Sequence, residues 1–348
     1  MKPLHKATID DVAELAGVSI KTVSRVVNGE PNVRESTRDK VDKAIVKLKY
    51  RPNLSARNLA SQRSHLIVLI YDDPSAYEVP SSGYVIRMQA GTLRACRAAS
   101  YELLIHPCNY RNKNVKAELD AIIEQMRPDG FVIAAPLSNM PKIVNAIAST
   151  NTPFVRMSPG SQNGKEFIVA TNDREISAEM TRYLAAQGHR RIAFIRGNPK
   201  HKAVNNRAKG YKDGLVEGGL KFRDELVFVG DNSIASGIAA AEQLLALEHP
   251  PTAIFAANDD MAAGVIRVAY RMGVDIPGQL SVAGFDDSSL AQQIHPTLTT
   301  VRQPLAAMAE QAAETLIRHA GKGEMPARTE IVPAALQIRD STGPAPAD

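Results

Sequence analysis

The chain has 348 residues, 44% of them apolar and 23% charged, with no tryptophan and two cysteines. This length predicts two or three domains, and the composition is that of a globular rather than a disordered protein. Apolar runs long enough to predict a membrane span are absent from the sequence, and MKPLHKATIDDVAEL lacks the apolar segment of a secretory signal. Cys96 and Cys108 are too few for a disulfide framework, so a cytoplasmic location is expected, with one disulfide left open.

The positive charge is concentrated at the start of the chain. Residues 1–65 hold 13 Lys and Arg against 7 Asp and Glu, a net charge of +6, whereas the whole chain carries +5. Such asymmetry predicts a nucleic-acid-binding module attached to a neutral body. A solvated basic tail is the alternative interpretation.

The stretch TIDDVAELAGVSIKTVSRVVNG predicts two short helices joined by a tight turn. Val12 lies on the apolar face of the first helix, and Gly17 suits the left-handed residue at its end. Ser19 is a favourable N-cap for the second helix, whose Val23 and Val26 can pack against the first. The spacing is typical of a helix-turn-helix. Its outer face carries short donors that can reach phosphates and base edges, namely Lys21, Thr22, Ser24, Arg25 and Asn28.

A third helix is predicted over RESTRDKVDKAIVKLKY, with one stripe formed by Val41, Ala44, Ile45 and Leu48. This stripe would complete a three-helix core that two short helices could not form alone. The following segment, YRPNLSARNLASQRS, predicts a short helix with little to pack against, which would order on DNA.

These residues resemble the LacI/GalR family of bacterial transcription regulators, through DVAELAGVS, TVSRVVNG, YRPN and ARNLAS. The resemblance implies that the outer face of the second helix enters the major groove, with Ile20 at a specificity position. It implies phosphate contacts from Thr8, Ser19 and Tyr50. It implies that Asn53 and Ala56 lie near the minor groove and that Leu59 is a wedge that partly unstacks a base step.

Beyond Ser64, short apolar runs such as LIVLIY, GFVIAA and TAIFAAN alternate with helical-period segments. This alternation predicts an α/β body of two parallel-sheet subdomains, with a break near 171–174. The resemblance extends over this region and implies a periplasmic-binding-protein-like body with three crossovers and a ligand cleft. The expected domains are a helix-turn-helix headpiece at 1–50, a hinge helix at 51–64 and a body at 65–348. Within the body, the N-subdomain is expected at about 65–172 plus 303–325, and the C-subdomain at about 173–301.

Ligands of parallel sheets lie beyond the carboxyl ends of the strands. The loops predicted there carry polar groups suited to sugar hydroxyls, namely Asp72, Asp73, Arg156, Ser158, Arg207, Asn258 and Asp286. The resemblance supports the last three as effector ligands. Rings that could stack on a sugar are Tyr77, Tyr84 and Phe285. For Asp173 and Asp259, a helix-capping role is an equal alternative. The long segment 73–91 is interpreted as a lid for a bulkier ligand, such as a disaccharide or glycoside.

The predicted function is a repressor of carbohydrate-utilisation genes that binds a pseudo-palindromic operator as a dimer, under control of a small sugar effector. A leucine heptad at the end of the chain is missing, so a tetramer is not expected. Motifs for catalysis, metal or cofactor binding are not found, so an enzyme is not expected. The alternatives are a nucleobase-responsive regulator, a regulator with a phosphorylated protein partner, and a cytoplasmic sugar-binding protein or enzyme.

Overall fold

The computed structural model describes residues 7–27, 32–50, 63–72, 82–109, 112–160, 166–198, 202–322 and 325–347. The chain divides into two compact units, Met1–Arg63 and Ser64–Asp348. We call them the headpiece and the body. The predicted site residues that lie outside the described ranges are Asn28, Asn53, Ala56, Leu59, Asp73 and Tyr77. Most of the predicted hinge helix, 51–62, also lies outside them.

The headpiece contains three helices: α1 (Ile9–Ala16), α2 (Ile20–Val27) and α3 (Glu35–Leu48). Gly17 ends α1 in the left-handed region at φ 65°, where a side chain would strain the backbone. Ser19 begins α2, because its hydroxyl accepts the Thr22 backbone N–H at 3.2 Å. The helices share one apolar core, formed by Val12, Ala13, Val23, Val26, Val41 and Ala44. The predicted helix-turn-helix and its third helix are confirmed.

The first sheet of the body has six parallel strands in the order β11-β5-β4-β3-β1-β2. Its strands are β1 (Leu66–Asp72), β2 (Glu102–Cys108), β3 (Gly130–Ile133), β4 (Phe154–Met157), β5 (Phe167–Ala170) and β11 (Arg328–Ile331). Helices α4 (Ser82–Ala98) and α12 (Leu305–His319) cover one face, and α5 (Val115–Met126) and α6 (Pro141–Ala148) cover the other. Coverage of both faces explains why the central strand β1 reads as an unbroken apolar run. We call this part the first subdomain.

The second sheet has four parallel strands in the order β7-β6-β8-β9, so β7 lies at an edge. Its strands are β6 (Ile192–Arg196), β7 (Val227–Val229), β8 (Ala253–Ala256) and β9 (Ser281–Ala283). Its helices are α7 (Asp173–Ala186), α8 (Lys202–Glu217), α9 (Ile234–Leu245), α10 (Asp259–Met272) and the short α11 (Ser289–Gln293). A single apolar core joins the sheet to these helices. We call this part the second subdomain.

The chain passes between the two subdomains three times. It leaves the first after β5, returns at α12, and leaves again after β11. Strands β10 (Thr300–Arg302) and β12 (Ala335–Gln337) pair antiparallel near the last two passages. Strand β11 joins the first sheet just beyond the predicted segment 303–325, and those subdomain bounds stay a prediction.

The two cysteines are free and buried, which settles the open question of a disulfide. Within the described ranges, no helix is long and apolar enough to cross a membrane. The same residues bring together no cluster of His, Cys, Asp or Glu that could hold a metal ion.

Candidate DNA-binding and effector sites

Helix α2 presents a polar outer face to its surroundings. Ile20 is 48% exposed although it is large and apolar, and Lys21 and Arg25 are also exposed. Thr22 and Ser24 are partly buried, and the Thr22 hydroxyl is hydrogen-bonded to that of Ser19 at 2.9 Å. The apolar residues of α2 face the headpiece core, so its cationic and small polar side chains occupy the opposite side. This is the arrangement required of a recognition helix.

Thr8 closes the start of α1 in a capping box with Asp11. Its backbone N–H and hydroxyl both donate to the Asp11 carboxylate, at 2.7 and 2.9 Å, and its hydroxyl accepts the Asp11 N–H at 3.3 Å. Tyr50 packs at the edge of the headpiece core, and its N–H donates to the Ile45 carbonyl at 3.0 Å. The phosphate contacts expected of Thr8, Ser19 and Tyr50 stay predictions.

A cluster of charged side chains surrounds Arg207 in the body, and we call it the Arg207 cluster. The guanidinium donates from Nε to Asp173 Oδ1 at 2.9 Å and from Nη1 to the Ala257 carbonyl at 2.6 Å. Nη1 also lies 3.7 Å from Asp286 Oδ1. Its carbon Cζ sits 3.6 Å from the centre of the Phe285 ring. The guanidinium is therefore fixed by two carboxylates, a carbonyl and an aromatic face.

Arg207 lies on helix α8, not on the loop that the sequence predicts after β6. Helix α8 packs closely on α7 because two glycines face that helix. A Cβ on Gly210 would lie 2.1 Å from the Arg174 carbonyl oxygen, and one on Gly214 would lie 2.5 Å from that of Ala178. This close approach brings Arg207 beside Asp173 at the start of α7.

The prediction that the Phe285 ring stacks on a sugar needs a correction. Its ring is fully buried, and the Arg207 guanidinium covers one face, so in this structure it supports the arginine instead of offering a surface to a sugar. Asp286 follows it at φ 118° and Asp287 at φ 50°, in a turn after β9. Gln303 donates from Nε2 to Asp286 Oδ1. Because of this turn, the carboxylates of Asp286 and Asp287 have different partners: Gln303 donates to Asp286, whereas Arg302 and Arg339 donate to Asp287.

The carboxylates of this region differ in how easily they ionise. Burial raises the pKa of Asp286 to about 6, against the opposing effect of Arg207, and burial also raises the pKa of Asp173. Burial, together with the charge of Asp286, raises the pKa of Asp259 to about 7. For Asp287, burial also opposes ionisation, but hydrogen bonds from Arg302 and Arg339 outweigh it and the pKa is lowered.

Neither Asp173 nor Asp259 caps a helix, although the sequence allowed it. Asn258 is the N-cap of α10: its Oδ1 accepts the Met261 N–H at 3.0 Å and its Nδ2 donates to the Asn232 carbonyl at 2.9 Å. Asp259 instead accepts the Ser288 N–H at 2.7 Å and the Thr300 hydroxyl at 2.5 Å. Asn172, not Asp173, precedes α7 as its N-cap residue.

Arg87 joins the two subdomains across the cleft. It extends from α4 and donates to the backbone carbonyls of Asp286, at 3.0 Å, and Asp287. A cavity of about 100 Å³ lies beside it, lined by residues of both subdomains including Tyr84, Asp286 and Ser288. That volume holds about three water molecules at about 30 Å³ each. Arg87 belongs to no sequence motif, so it was not predicted as a site residue.

The polar residues predicted on the first subdomain have other partners. Arg156, 4% exposed, donates to the Ser138 carbonyl at 2.7 Å and to Glu166 at 2.5 Å. Ser158 is 7% exposed and adopts φ 43° just after β4, where its N–H donates to the Val169 carbonyl at 2.9 Å. Asp72 is the partly buried last residue of β1. All three lie at carboxyl ends of strands, and their contact with an effector stays a prediction.

Two family profiles match the chain. Residues 8–53 match "Bacterial regulatory proteins, lacI family", and residues 181–342 match "Periplasmic binding protein-like domain". Among curated proteins, the chain is 34% identical to the HTH-type transcriptional regulator GalR of Escherichia coli, over 96% of this chain and 95% of GalR. It is 31% identical to the probable HTH-type transcriptional repressor ExuR of Bacillus subtilis, over 96% of this chain and 98% of ExuR.

Solved structures of similar fold include two with a bound sugar or glycoside. The lac repressor bound to ONPG in the repressed state has a TM-score of 0.75 and 27% identity, covering 97% of this chain and 99% of that one. The transcriptional regulator CelR in complex with cellobiose has a TM-score of 0.73 and 28% identity, covering 96% of this chain and 99% of that one. The expected fold class, a helical headpiece followed by an α/β body of parallel sheets, is confirmed.

Proposed function

Because the chain belongs to the lacI family of bacterial regulatory proteins and is a DNA-binding transcriptional regulator, we propose that it is a sugar-controlled repressor. It would repress carbohydrate-utilisation genes in the bacterial cytoplasm. The Arg207 cluster, set at the carboxyl ends of the second sheet, is the observation that carries the effector part of the proposal.

The effector we propose is a neutral sugar or glycoside. Arg207 has its charge balanced by Asp173 and Asp286, so it offers no net positive charge to an acidic sugar. Buried carboxylate oxygens accept hydrogen bonds, and sugar hydroxyls are the neutral groups that supply donors in number. The cellobiose complex of CelR and the ONPG complex of the lac repressor, both similar in fold, support a ligand of this class.

Binding of such a ligand requires a wider cleft than the one described. Small-molecule pockets enclose about 300–1,000 Å³, against about 100 Å³ here. We therefore propose that the contacts of Arg87 with the second subdomain break when the sugar enters, which gives an open state. To move operator occupancy from 1:99 to 99:1, the sugar must favour the open state by about 5.5 kcal/mol.

On the DNA side, we propose that α2 reads the major groove through Ile20, Lys21 and Arg25, which are its exposed residues. One short helix spans few base pairs, so two copies of the chain would bind the two halves of a pseudo-palindromic operator. We further propose that Asn53, Ala56 and Leu59 of the hinge contact the DNA near the minor groove. This part of the proposal rests on the family resemblance alone.

Fluorescence anisotropy on the DNA upstream of the chain's own gene tests the proposal, with and without a panel of neutral mono- and disaccharides and acidic sugars. We expect specific binding that one neutral sugar relieves. Lys21→Ala should weaken operator binding, whereas Lys43→Ala, on the exposed side of α3, should leave specificity unchanged. Relief by an acidic sugar alone would overturn the effector class, and failure to bind specific DNA under any condition would overturn the regulator.

A further inference from the structure

A second cavity lies on the second subdomain, away from the Arg87 cleft. It has a volume of about 580 Å³ and is bounded by α8, strands β6 and β7, and the segment that precedes β7. Ligand pockets commonly enclose about 300–1,000 Å³, so a small organic molecule fits. Its position at the free edge of the sheet, beside β7, leaves it open to solvent.

One side of the cavity is aromatic. Phe194 and Tyr211 are fully buried and stacked beneath this side, with ring centres 4.9 Å apart, and the partly buried Phe222, which meets Tyr211 edge-on at 6.4 Å, is the ring that a ligand can reach. Ala208 and Val227 extend this apolar surface. A flat apolar group is the kind of ligand body that such a wall accepts.

The rest of the cavity is mainly cationic. Arg196, Lys209 and Lys212 line it against a single acid, Asp224. The Lys212 ammonium rests 4.0 Å from the centre of the Phe222 ring, a contact weaker than a charge-assisted hydrogen bond to a phosphate or carboxylate. An anion could therefore draw Lys212 off the ring and leave that face free for stacking.

Arg196 supplies a second, independent sign of a missing partner. It is the last residue of β6 and donates from Nη2 to Asn205 Oδ1 at 2.8 Å. Its Nε is buried and finds no hydrogen-bond partner among the residues that the structure describes. A buried N–H of a charged group is costly to leave unbonded, so a shift of the Arg196 side chain toward an acceptor in the cavity would be favourable.

We propose that this cavity is a second ligand site, for a small organic anion with a flat aromatic body, of mononucleotide size. Phe222 would stack on the base or ring, and Arg196, Lys209 and Lys212 would hold the anionic group. It is separate from the Arg207 cluster, although both use helix α8. The chain would thus bind two different small molecules, at two separate sites.

Isothermal titration calorimetry on the full chain tests the proposal, with AMP as the probe. Adenosine and inorganic phosphate serve as the apolar and anionic halves of the probe. We expect saturable AMP binding that is at least about tenfold tighter than that of either half. Absence of saturable AMP binding at millimolar concentration, or equal binding of AMP and phosphate, would overturn the proposal.

Variants place the binding in the cavity. Lys212→Gln should weaken AMP binding about tenfold, because it removes one charge-assisted contact, and Phe222→Ala should weaken it similarly by removing the stacking surface. Lys221→Gln, an exposed neighbour that does not line the cavity, is the matched control and should have no effect. AMP binding that Lys212→Gln and Lys221→Gln change equally would overturn the site. Because the proposed sugar does not use Lys212, its binding to each variant separates failure here from failure of the proposed function.

Discussion

Replacing Arg207 by Gln should destabilise the body far more than loss of an ordinary ion pair. The Arg207 and Asp173 side chains are 9% and 5% exposed, and Arg207→Gln leaves Asp173 buried without its cation. Breaking a buried pair in this way costs about 3–5 kcal/mol. At roughly 2–4 °C per kcal/mol for a domain of this size, the melting temperature should fall by roughly 10 °C. Asp173, whose pKa burial already raises, would take up a proton, which limits the loss.

The neighbouring pair Arg174–Asp213 is a matched control, since it joins the same two helices, α7 and α8, at the surface. Its arginine and aspartate are 54% and 33% exposed, so Arg174→Gln should cost only about 0–1 kcal/mol. Adding Asp173→Asn to Arg207→Gln should recover part of the loss, because both charges are then gone.

Circular dichroism at 222 nm, followed during heating and urea titration of each variant, measures these differences. The chain has no tryptophan, so fluorescence of that residue cannot serve. If Arg207→Gln costs no more than Arg174→Gln, or if the double variant is less stable than either single variant, then burial does not make the Arg207–Asp173 pair more costly to break than an exposed pair.

Three further predictions follow from other contacts. Val23→Ala should destabilise the headpiece by about 2 kcal/mol and abolish operator binding while sugar binding persists, whereas Val46→Ala, 76% exposed on α3, should change neither. Stability of the body should fall as the pH rises from about 4, the ordinary pKa of an aspartate, to about 7, the pKa of Asp259 in the folded state, because the folded state holds the Asp259 proton to a higher pH than the unfolded chain does, and Asp259→Asn should flatten that melting profile. Arg87→Ala should tighten sugar binding about tenfold, because it removes a charged hydrogen bond that holds the cleft closed. Arg94 is the control, since its side chain donates to Glu310 within the first subdomain. Calorimetry would contradict the prediction if Arg94→Ala tightened sugar binding as much as Arg87→Ala.

Much of the fold could be predicted because its signals are local. Gly17 and Ser19 mark a helix end and a helix start, and the buried run of β1 is apolar at every central position. Strands β7 and β11 are harder to predict, since they lie at sheet edges, have four residues or fewer and are at most partly buried. Short edge strands lack the length and the two-sided burial that produce a pattern.

The candidate site was less predictable, since its geometry depends on contacts between distant segments. Arg207 was predicted as an effector ligand, but its segment, RGNPKHKAVNNRAKGY, was predicted to be a loop. Its proline and many polar residues are typical of loops, although Arg207 lies on a helix. Nothing next to Phe285 in the sequence shows that an arginine 78 positions earlier would cover its ring. Arg87 belongs to no motif, because its acceptors are backbone carbonyls, which every residue has.

Because the chain passes between the subdomains three times, the position of a junction decides whether a chimera of two related proteins keeps its cores intact. The segment after β12 belongs to the second subdomain: Ser341 exchanges hydrogen bonds with the Val282 backbone, and the Gly343 N–H donates to the Ser281 hydroxyl at 3.0 Å. Each subdomain is thus assembled from separate stretches of chain. A recombination crossover near 171–174 would therefore exchange parts of both cores, so chimeras between relatives should tolerate a junction after Arg63 far better than one inside the body.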